Sequence, residues 1–376
     1  MTKAAFIYSP ELEKHPYPPD HPFNISRAKR TREIVNSLGI LSGNGRSEVP
    51  PVSAERIVLK KFHSARYVHA LQTASKGRWD AEALEMGLGT GDCPVFRGLY
   101  EYATLASGAT LTGAKLILSG DAEVAFNPSG GFHHAGPERA SGFCYINDVA
   151  LGCVILAEAG KRVLYLDVDV HHGDGVAYAF YDRSDVMTIS LHQNPRTLFP
   201  GTGFEDEIGT GQGQGYCVNV PLPVGTYDEA YIKAFTTIAV PLIAAYNPDA
   251  IVFQLGADAL AGDPLAHLCL TNNAYVDVIE RVLSFSKPIL ATGGGGYNVD
   301  NTARAWALAW SILSGADRAQ DKGRALDGVM LGSTDWQDGL RDTAPPISGQ
   351  QRNAVMPAVE AIIEAVRAKV FPVHGL

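Results

Sequence analysis

The segment Leu166–Gly175, LDVDVHHGDG, places three aspartates and two adjacent histidines within ten residues, directly after the apolar run Val163–Leu166. Unpaired charge at the end of a buried strand is costly, so such a cluster needs partners or a ligand. In an extended segment, side chains two apart face the same way. Asp167, Asp169 and His171 are therefore expected on one face, with Val168 and Val170 on the other. A carboxylate and an imidazole at that spacing form half of a divalent-cation site; the alternative is a salt-bridged structural cluster. Asp258, in QLGADALAGDP, is the best candidate for a further carboxylate. Two carboxylates and one imidazole leave a position open for water or substrate, and this oxygen-rich set suits zinc or ferrous iron about equally.

His133 and His134 lie in tandem in the glycine-bracketed stretch PSGGFHHAGP. A carboxylate on one ring nitrogen fixes the tautomer and raises the basicity of the other nitrogen, so the pair points to proton transfer. Asp167 and Asp174 are spare for that purpose, without the sequence assigning either to a particular histidine. The stretch GGGGYN, Gly293–Asn298, lacks the Lys-Ser/Thr of a P-loop and the G-x-G-x-x-G spacing of a dinucleotide site. Its glycines instead mark positive φ or close packing, letting Tyr297 approach a metal and donate to a developing oxyanion. The competing reading of Tyr297 is a packed ring with a wetted tip.

These residues need a frame. Short apolar runs at Ala4–Tyr8, Glu123–Phe126, Arg162–Leu166, Val186–Leu191, Cys217–Val220, Ala250–Leu255 and Pro288–Ala291 read as strands. Helical patterns cover Arg27–Leu38, Ala65–Ser75, Val95–Leu118, Ile146–Glu158, Gly175–Tyr181, Tyr227–Tyr246 and Asn272–Phe285. This alternation predicts one α/β domain with a mainly parallel sheet. His133, Asp167, Asp169, His171, His192, Asp258 and Tyr297 each follow a predicted strand, at the sheet edge where parallel sheets bind ligands.

The chain has 376 residues and a net charge of -9, with no lysine- or arginine-rich block, so a nucleic-acid footprint is absent. An acidic surface suits a cationic partner such as a lysine-bearing peptide or a polyamine. The five cysteines are odd in number and form no CxxC, which points away from a disulfide framework or thiolate zinc site and towards a reducing compartment. With neither a signal-like N-terminus nor a membrane-length apolar run, the expected location is cytoplasmic.

Together HHAGPERASGFCYIN, LDVDVHHGDGV, SLHQ, FPGTG, QLGADALAGDP and GGGGYN resemble the zinc-dependent histone deacetylase family on its class I side, including bacterial acetoin-utilisation deacetylases. The resemblance runs from about Tyr8 to Gly315, leaving a helical extension over about 316–376. It implies a single-domain, three-layer arginase-like α/β fold with an eight-stranded, mainly parallel sheet, and hydrolysis of N-acyl-lysine amides. By the same resemblance Asp169, His171 and Asp258 would hold the metal, zinc or iron. His133 and His134 would be oriented by Asp167 and Asp174 respectively, and Tyr297 would polarise the acyl carbonyl. Gly142, Phe143, Phe199 and Gly295 would contact the substrate stem, with Leu265 near the mouth and Asp92 holding substrate backbone amides. One potassium ion would lie by Asp167, Asp169, His171, Ser190 and Leu191, and another by Phe180, Arg183, Val186 and Tyr216. Arg27 would line a channel releasing the acid product.

Ureohydrolases of the same fold carry a second-metal aspartate where this chain has Gly173. Pro264 and Asp300 stand where corepressor-bound nuclear members carry arginines for an inositol phosphate, which argues against a nuclear corepressor role. Acetylated polyamines are the alternative substrates, although the long N-terminal insertion of such enzymes is missing. A catalytically inactive acyl-lysine reader is disfavoured because every ligand position is filled. Oligomeric state is not legible.

Overall fold

The computed structural model describes residues 3–78, 80–316 and 339–376. Eight strands, β1 (Ala4–Ile7), β2 (Arg46–Val49), β3 (Val124–Asn127), β4 (Val163–Asp167), β5 (Val186–Gln193), β6 (Cys217–Leu222), β7 (Ala250–Gln254) and β8 (Ile289–Thr292), form one sheet in the order 2-1-3-8-7-4-5-6. Every pairing is parallel, as the strand–helix alternation predicts. The inner strands are buried along their whole length, which is why they read as unbroken apolar runs. Alternation survives inside that run. Val163 and Tyr165 pack into the core on one side of the sheet, and Leu164 and Leu166 into the core on the other.

The helices are α1 (Ser26–Ser37), α2 (Arg56–Leu59), α3 (Ala65–Ala74), α4 (Ala81–Glu85), α5 (Leu99–Ser119), α6 (Asp148–Glu158), α7 (Asp174–Ala179), α8 (Asp228–Ala234), α9 (Val240–Tyr246), α10 (Asn272–Ser284), α11 (Val299–Leu313) and a C-terminal helix, Gly349–Val370. Helices α5 to α7 cover one face, while α1, α8 to α11 and the C-terminal helix cover the other, giving three layers around one sheet. A third apolar cluster, gathered from α3, α5 and the loops around Tyr17, Phe23, Phe132 and Tyr145, closes one end.

Three differences from the sequence reading have physical causes. Strand β2 (RSEV) is a short polar edge strand and carries no apolar alternation. Helix α11 is buried from Thr302 to Leu313 apart from Arg304, and its charged residues are confined to the first turns, so most of its length carries no polar face to mark it. The helix expected over Tyr227–Tyr246 is interrupted by a π turn at Phe235–Ala239. Pro241 lacks an N–H and its ring crowds the carbonyl four residues back, so the preceding turn widens.

Of the extension expected over 316–376, residues 317–338 lie outside the described residues. The C-terminal helix beyond them buries Val355, Val359, Ile363, Val366 and Val370 against β6 and α8, in the same core as the sheet. Among the described residues no helix is long and apolar enough to cross a membrane.

Candidate metal and catalytic centre

Strands β7 and β8 occupy the middle of the sheet although they form last in the chain, so β3, β8, β7 and β4 end side by side. Asn127 pairs with Thr292, Thr292 with Gln254, and Gln254 with Asp167. The loops leaving these four strands supply the chemistry, as expected where neighbouring connections diverge.

After Asp167 the chain leaves the ladder. Asp167 Oδ1 accepts the Asp169 N–H (2.9 Å) and Asp169 Oδ1 accepts the His171 N–H (3.0 Å), two successive aspartate turns. The extended geometry expected here is therefore corrected. Asp169 and His171 still converge, while Asp167 points to His133, and Val168 and Val170 anchor the turns in the core. His171 Nδ1 lies 3.0 Å from both Asp169 Oδ1 and Asp258 Oδ2. One ligand atom from each of these three buried residues lies within 4.8 Å of the others.

The carboxylates are held from behind. Asp258 Oδ1 accepts the Val170 N–H (2.9 Å), and Asp169 Oδ2 accepts from the Gly295 N–H (2.7 Å) and Gln254 Nε2 (2.8 Å). Burial disfavours a charged His171, but Asp258 and Asp169 outweigh it and raise the imidazole to about 10. Burial and the facing Asp169 push Asp258 up to about 7. Two opposed carboxylates strong enough to trap a proton will trap a divalent cation better, and the donor set fits zinc or ferrous iron.

Gly295, expected at the substrate, packs against the carboxylates: a methyl there would overlap Asp258 Oδ2 and reach within 3.1 Å of Asp169 Oδ2. We expect Gly295→Ala to fold by circular dichroism yet bind zinc about 10–100-fold more weakly in a chelator competition. Unchanged affinity would disconnect this loop from the donor set.

The tandem histidines sit beside the donors. His133 Nδ1 pairs with Asp167 Oδ2 (2.8 Å), His134 Nδ1 with Asp174 Oδ1 (2.7 Å), and the two Nε2 atoms are 3.0 Å apart. Both rings are buried. For His133 burial is opposed by Asp167 and Asp169, which raise it to about 9; for His134 burial and the neighbouring His133 prevail, lowering it to about 4 despite Asp174. An Nε2 pair at this distance carries a single bridging proton, so one ring donates while the other accepts.

Around this centre, Gly142 and Phe143 form a tight turn with φ of 53° and 65°, closed by Ser141–Cys144 backbone bonds. At Gly142 a side chain would strike the His134 ring. The Phe143 ring stands edge-on to Tyr297 (5.7 Å between centroids), and Phe199, 45% exposed, stands edge-on to His134 (5.0 Å). Asp92 at the exposed rim accepts the Gly142 N–H (2.7 Å), so one of its oxygens holds this turn. Asp263 accepts the backbone N–H of both Tyr297 (2.7 Å) and Leu265 (2.9 Å), fixing the two loops together. Arg27 is buried behind the glycine loop, donating to the Gly296 carbonyl (2.7 Å) beneath Phe23 and Trp306.

Ser190 pairs with Asp167 across β4 and β5, with Leu191 next to it. Phe180, Arg183, Val186 and Tyr216 gather between α7 and the starts of β5 and β6. His192 departs from expectation. Strand β5 runs on to Gln193, and His192 is buried within it, bonded to Ser190 Oγ and the Gly203 carbonyl.

Sequence reasoning missed several supports. Tyr165 donates to Asp167 Oδ2, and it shares that residue's face of β4 by simple alternation. Gln254 ends β7 beside Asp167 and was legible as a polar residue closing an apolar strand. Tyr275, which donates to the Gly256 carbonyl from α10, leaves no local signal.

Residues 21–313 match the family model described as Histone deacetylase domain. The chain is 40% identical over 362 residues to the acetoin utilization protein AcuC of Bacillus subtilis (strain 168), covering 92% of each chain. It is 42% identical over 291 residues to Histone deacetylase 8 of Xenopus tropicalis, covering 77% of this chain and 78% of that one. The crystal structure of an HDAC homolog from Aquifex aeolicus superposes with a TM-score of 0.84 at 31% identity, covering 97% of this chain and all of the other; the same values hold for an HDAC homolog complexed with SAHA. With its all-parallel eight-stranded sheet and a domain match spanning the whole site, this chain belongs to the histone deacetylase family, on the class I-like side that includes its bacterial members.

Proposed function

We propose that the protein is a metal-dependent lysine deacylase that hydrolyses acetyl or another short acyl group from the ε-amine of lysine in proteins or peptides. The observation carrying this reading is the convergence of Asp169, His171 and Asp258 beside two histidines, each backed by its own carboxylate. A divalent cation held by those three residues, Zn2+ or Fe2+, supplies Lewis acidity, lowering the pKa of a water from about 15.7 towards 7.

The chain's own residues do the rest. His134 accepts the proton of the attacking water, with Asp174 steadying the charge that appears on its ring. His133, poised by Asp167, shares a proton with His134, so the pair can protonate the leaving amine. Tyr297 donates its hydroxyl to the acyl oxygen as negative charge develops there. Gly142, Phe143 and Phe199 enclose the apolar lysine stem and exclude bulk water, Leu265 shapes the mouth, and Asp92 receives substrate backbone amides. Arg27 attends the departing acid. The residues around Ser190 and around Phe180 would hold potassium ions, and the protein works in the cytoplasm.

Hydrolysis of an acetyl-lysine fluorogenic peptide by stripped, zinc-loaded and iron-loaded protein tests this. We expect turnover only with metal, abolished by a hydroxamate chelator. Turnover of acetylpolyamines in preference to every acyl-lysine peptide would move the protein to small N-acyl amines. Binding without turnover on either would make it a reader.

A further inference from the structure

The two catalytic histidines are fixed at their ring nitrogens by Asp167 and Asp174, but these bonds set ring rotation and leave the height of the main chain open. That height is governed from the N-terminus of α6. Asn147 is fully buried, and all of its hydrogen-bonding groups are used. Its N–H is received by His63 Nε2 (3.0 Å), and its Oδ1 caps α6 by accepting the Ala150 N–H (2.8 Å). Its Nδ2 donates to the His133 carbonyl (3.1 Å) and the Ala135 carbonyl (2.9 Å). Those two carbonyls bracket His134.

The next residue grips the loop from the other side. Asp148 accepts the N–H groups of Gly131 and Phe132, at 3.1 Å and 2.8 Å, and the Thr110 hydroxyl at 2.5 Å. Helix α7 then closes on the same spot. A Cβ at Gly175 would lie 2.6 Å from each bracketing carbonyl oxygen and 2.8 Å from Asn147 Nδ2. Asp174, the carboxylate facing His134, is the preceding residue. The Asn147 carboxamide therefore contacts the histidine loop and borders the turn that carries a histidine's partner.

We propose that Asn147 is a positioning residue for catalysis: its carboxamide donor sets where the His133–His134 pair stands relative to Asp174 and the metal donors. This rests on the deacylase reading and adds a residue to it. The cap and the clamp are separable, because Oδ1 serves the helix and Nδ2 serves the loop. Asn147→Asp keeps a good N-cap acceptor and loses the donor; Asn147→Ser keeps the acceptor, but its single hydroxyl hydrogen, on a shorter side chain, cannot serve both carbonyls; Asn147→Ala loses acceptor and donor alike. A misplacement of about 1 Å can cost about a hundredfold in rate.

Zinc-loaded Asn147→Ser and Asn147→Asp are expected to lose about 10–100-fold in kcat on an acetyl-lysine peptide. KM and zinc affinity should stay within about twofold; Tm should fall less in Asn147→Ser than in Asn147→Ala, and further in Asn147→Asp, whose buried carboxylate faces the His133 and Ala135 carbonyls. In proton NMR, the downfield Nδ1–H resonances of His133 and His134 should shift or broaden in both variants. Wild-type kcat with unchanged imidazole resonances in either folded variant would overturn the proposal. So would KM and zinc affinity worsening in step with kcat, which is general loosening. If the wild-type protein turns over no acyl-lysine peptide, the functional reading fails, and the imidazole resonances still decide whether Asn147 sets the pair.

Discussion

Replacing Asp258 with asparagine should abolish zinc-dependent stabilisation and lower turnover of an acetyl-lysine peptide by more than about a thousandfold, because the reaction loses a water whose pKa is brought down by more than eight units, from about 15.7 to about 7. The substitution is close to isosteric. The side-chain oxygen can still accept the Val170 N–H now received by Oδ1, so the loop after β7 has its bond. What changes is the atom at Oδ2, which lies 3.0 Å from His171 Nδ1 and becomes an uncharged amide donor facing the donor centre. Half of the carboxylate charge in the triad disappears with it. In the metal-free protein this removes the repulsion between Asp169 and Asp258 and also the Asp258 charge that, ahead of Asp169, raises His171, so each protein's own metal-free melt is the baseline. The contrast appears on adding zinc. A ligand at a thousandfold excess over its Kd adds about 4 kcal/mol to the native state, raising the wild-type Tm while leaving that of the variant unchanged. Thermal melts with and without zinc, beside turnover assays, check both halves. A variant that binds zinc normally and retains its rate would show that these three residues are not the cation site.

How much of this centre could be read without coordinates depended on whether a residue's partner was local or distant. Asp167, Asp169 and His171 announce themselves because spacing of two at the end of an apolar run has one natural geometry, and the aspartate turns that replace the extended strand leave the convergence intact. The pairing of Asp167 with His133 and Asp174 with His134 spans 34 and 40 residues, and no local pattern selects it over the exchanged pairing. Only the family likeness pointed to it. The glycines of GGGGYN illustrate the same limit. Close packing was the right class of explanation, but that Gly295 yields room to Asp258 depends on how β7 and β8 lie side by side. Asn147 is the sharpest case. The helix expected over Ile146–Glu158 includes it as an interior residue; its cap on α6 and its bonds to the histidine loop appear only once the loop after β3 folds back over α6. Buried helices behave likewise: beyond Arg304, α11 buries every residue to Leu313, so that part of it carries no polar face to mark it.

Tyr297→Phe should lower kcat about 10²–10³-fold, about 3–4 kcal/mol in the transition state, while leaving KM, zinc affinity and Tm close to wild type. The backbone of Tyr297 is fixed independently of its hydroxyl, since its N–H donates to Asp263. Its ring is half-buried and stands edge-on to Phe143 (5.7 Å) and His171 (6.4 Å), contacts that phenylalanine reproduces. Burial, with Asp258 and Asp169 adding to it, holds the hydroxyl well above the usual tyrosine range. Burial thus favours the protonated, donating form of this hydroxyl over a general base. A donor of this kind contributes little to a neutral amide and much to an oxyanion, so its loss must fall on kcat rather than on substrate binding. An effect of equal size on KM would make Tyr297 a binding residue. A large fall in Tm would return it to the packed ring with a wetted tip, and an unchanged kcat would leave the oxyanion to groups other than this hydroxyl.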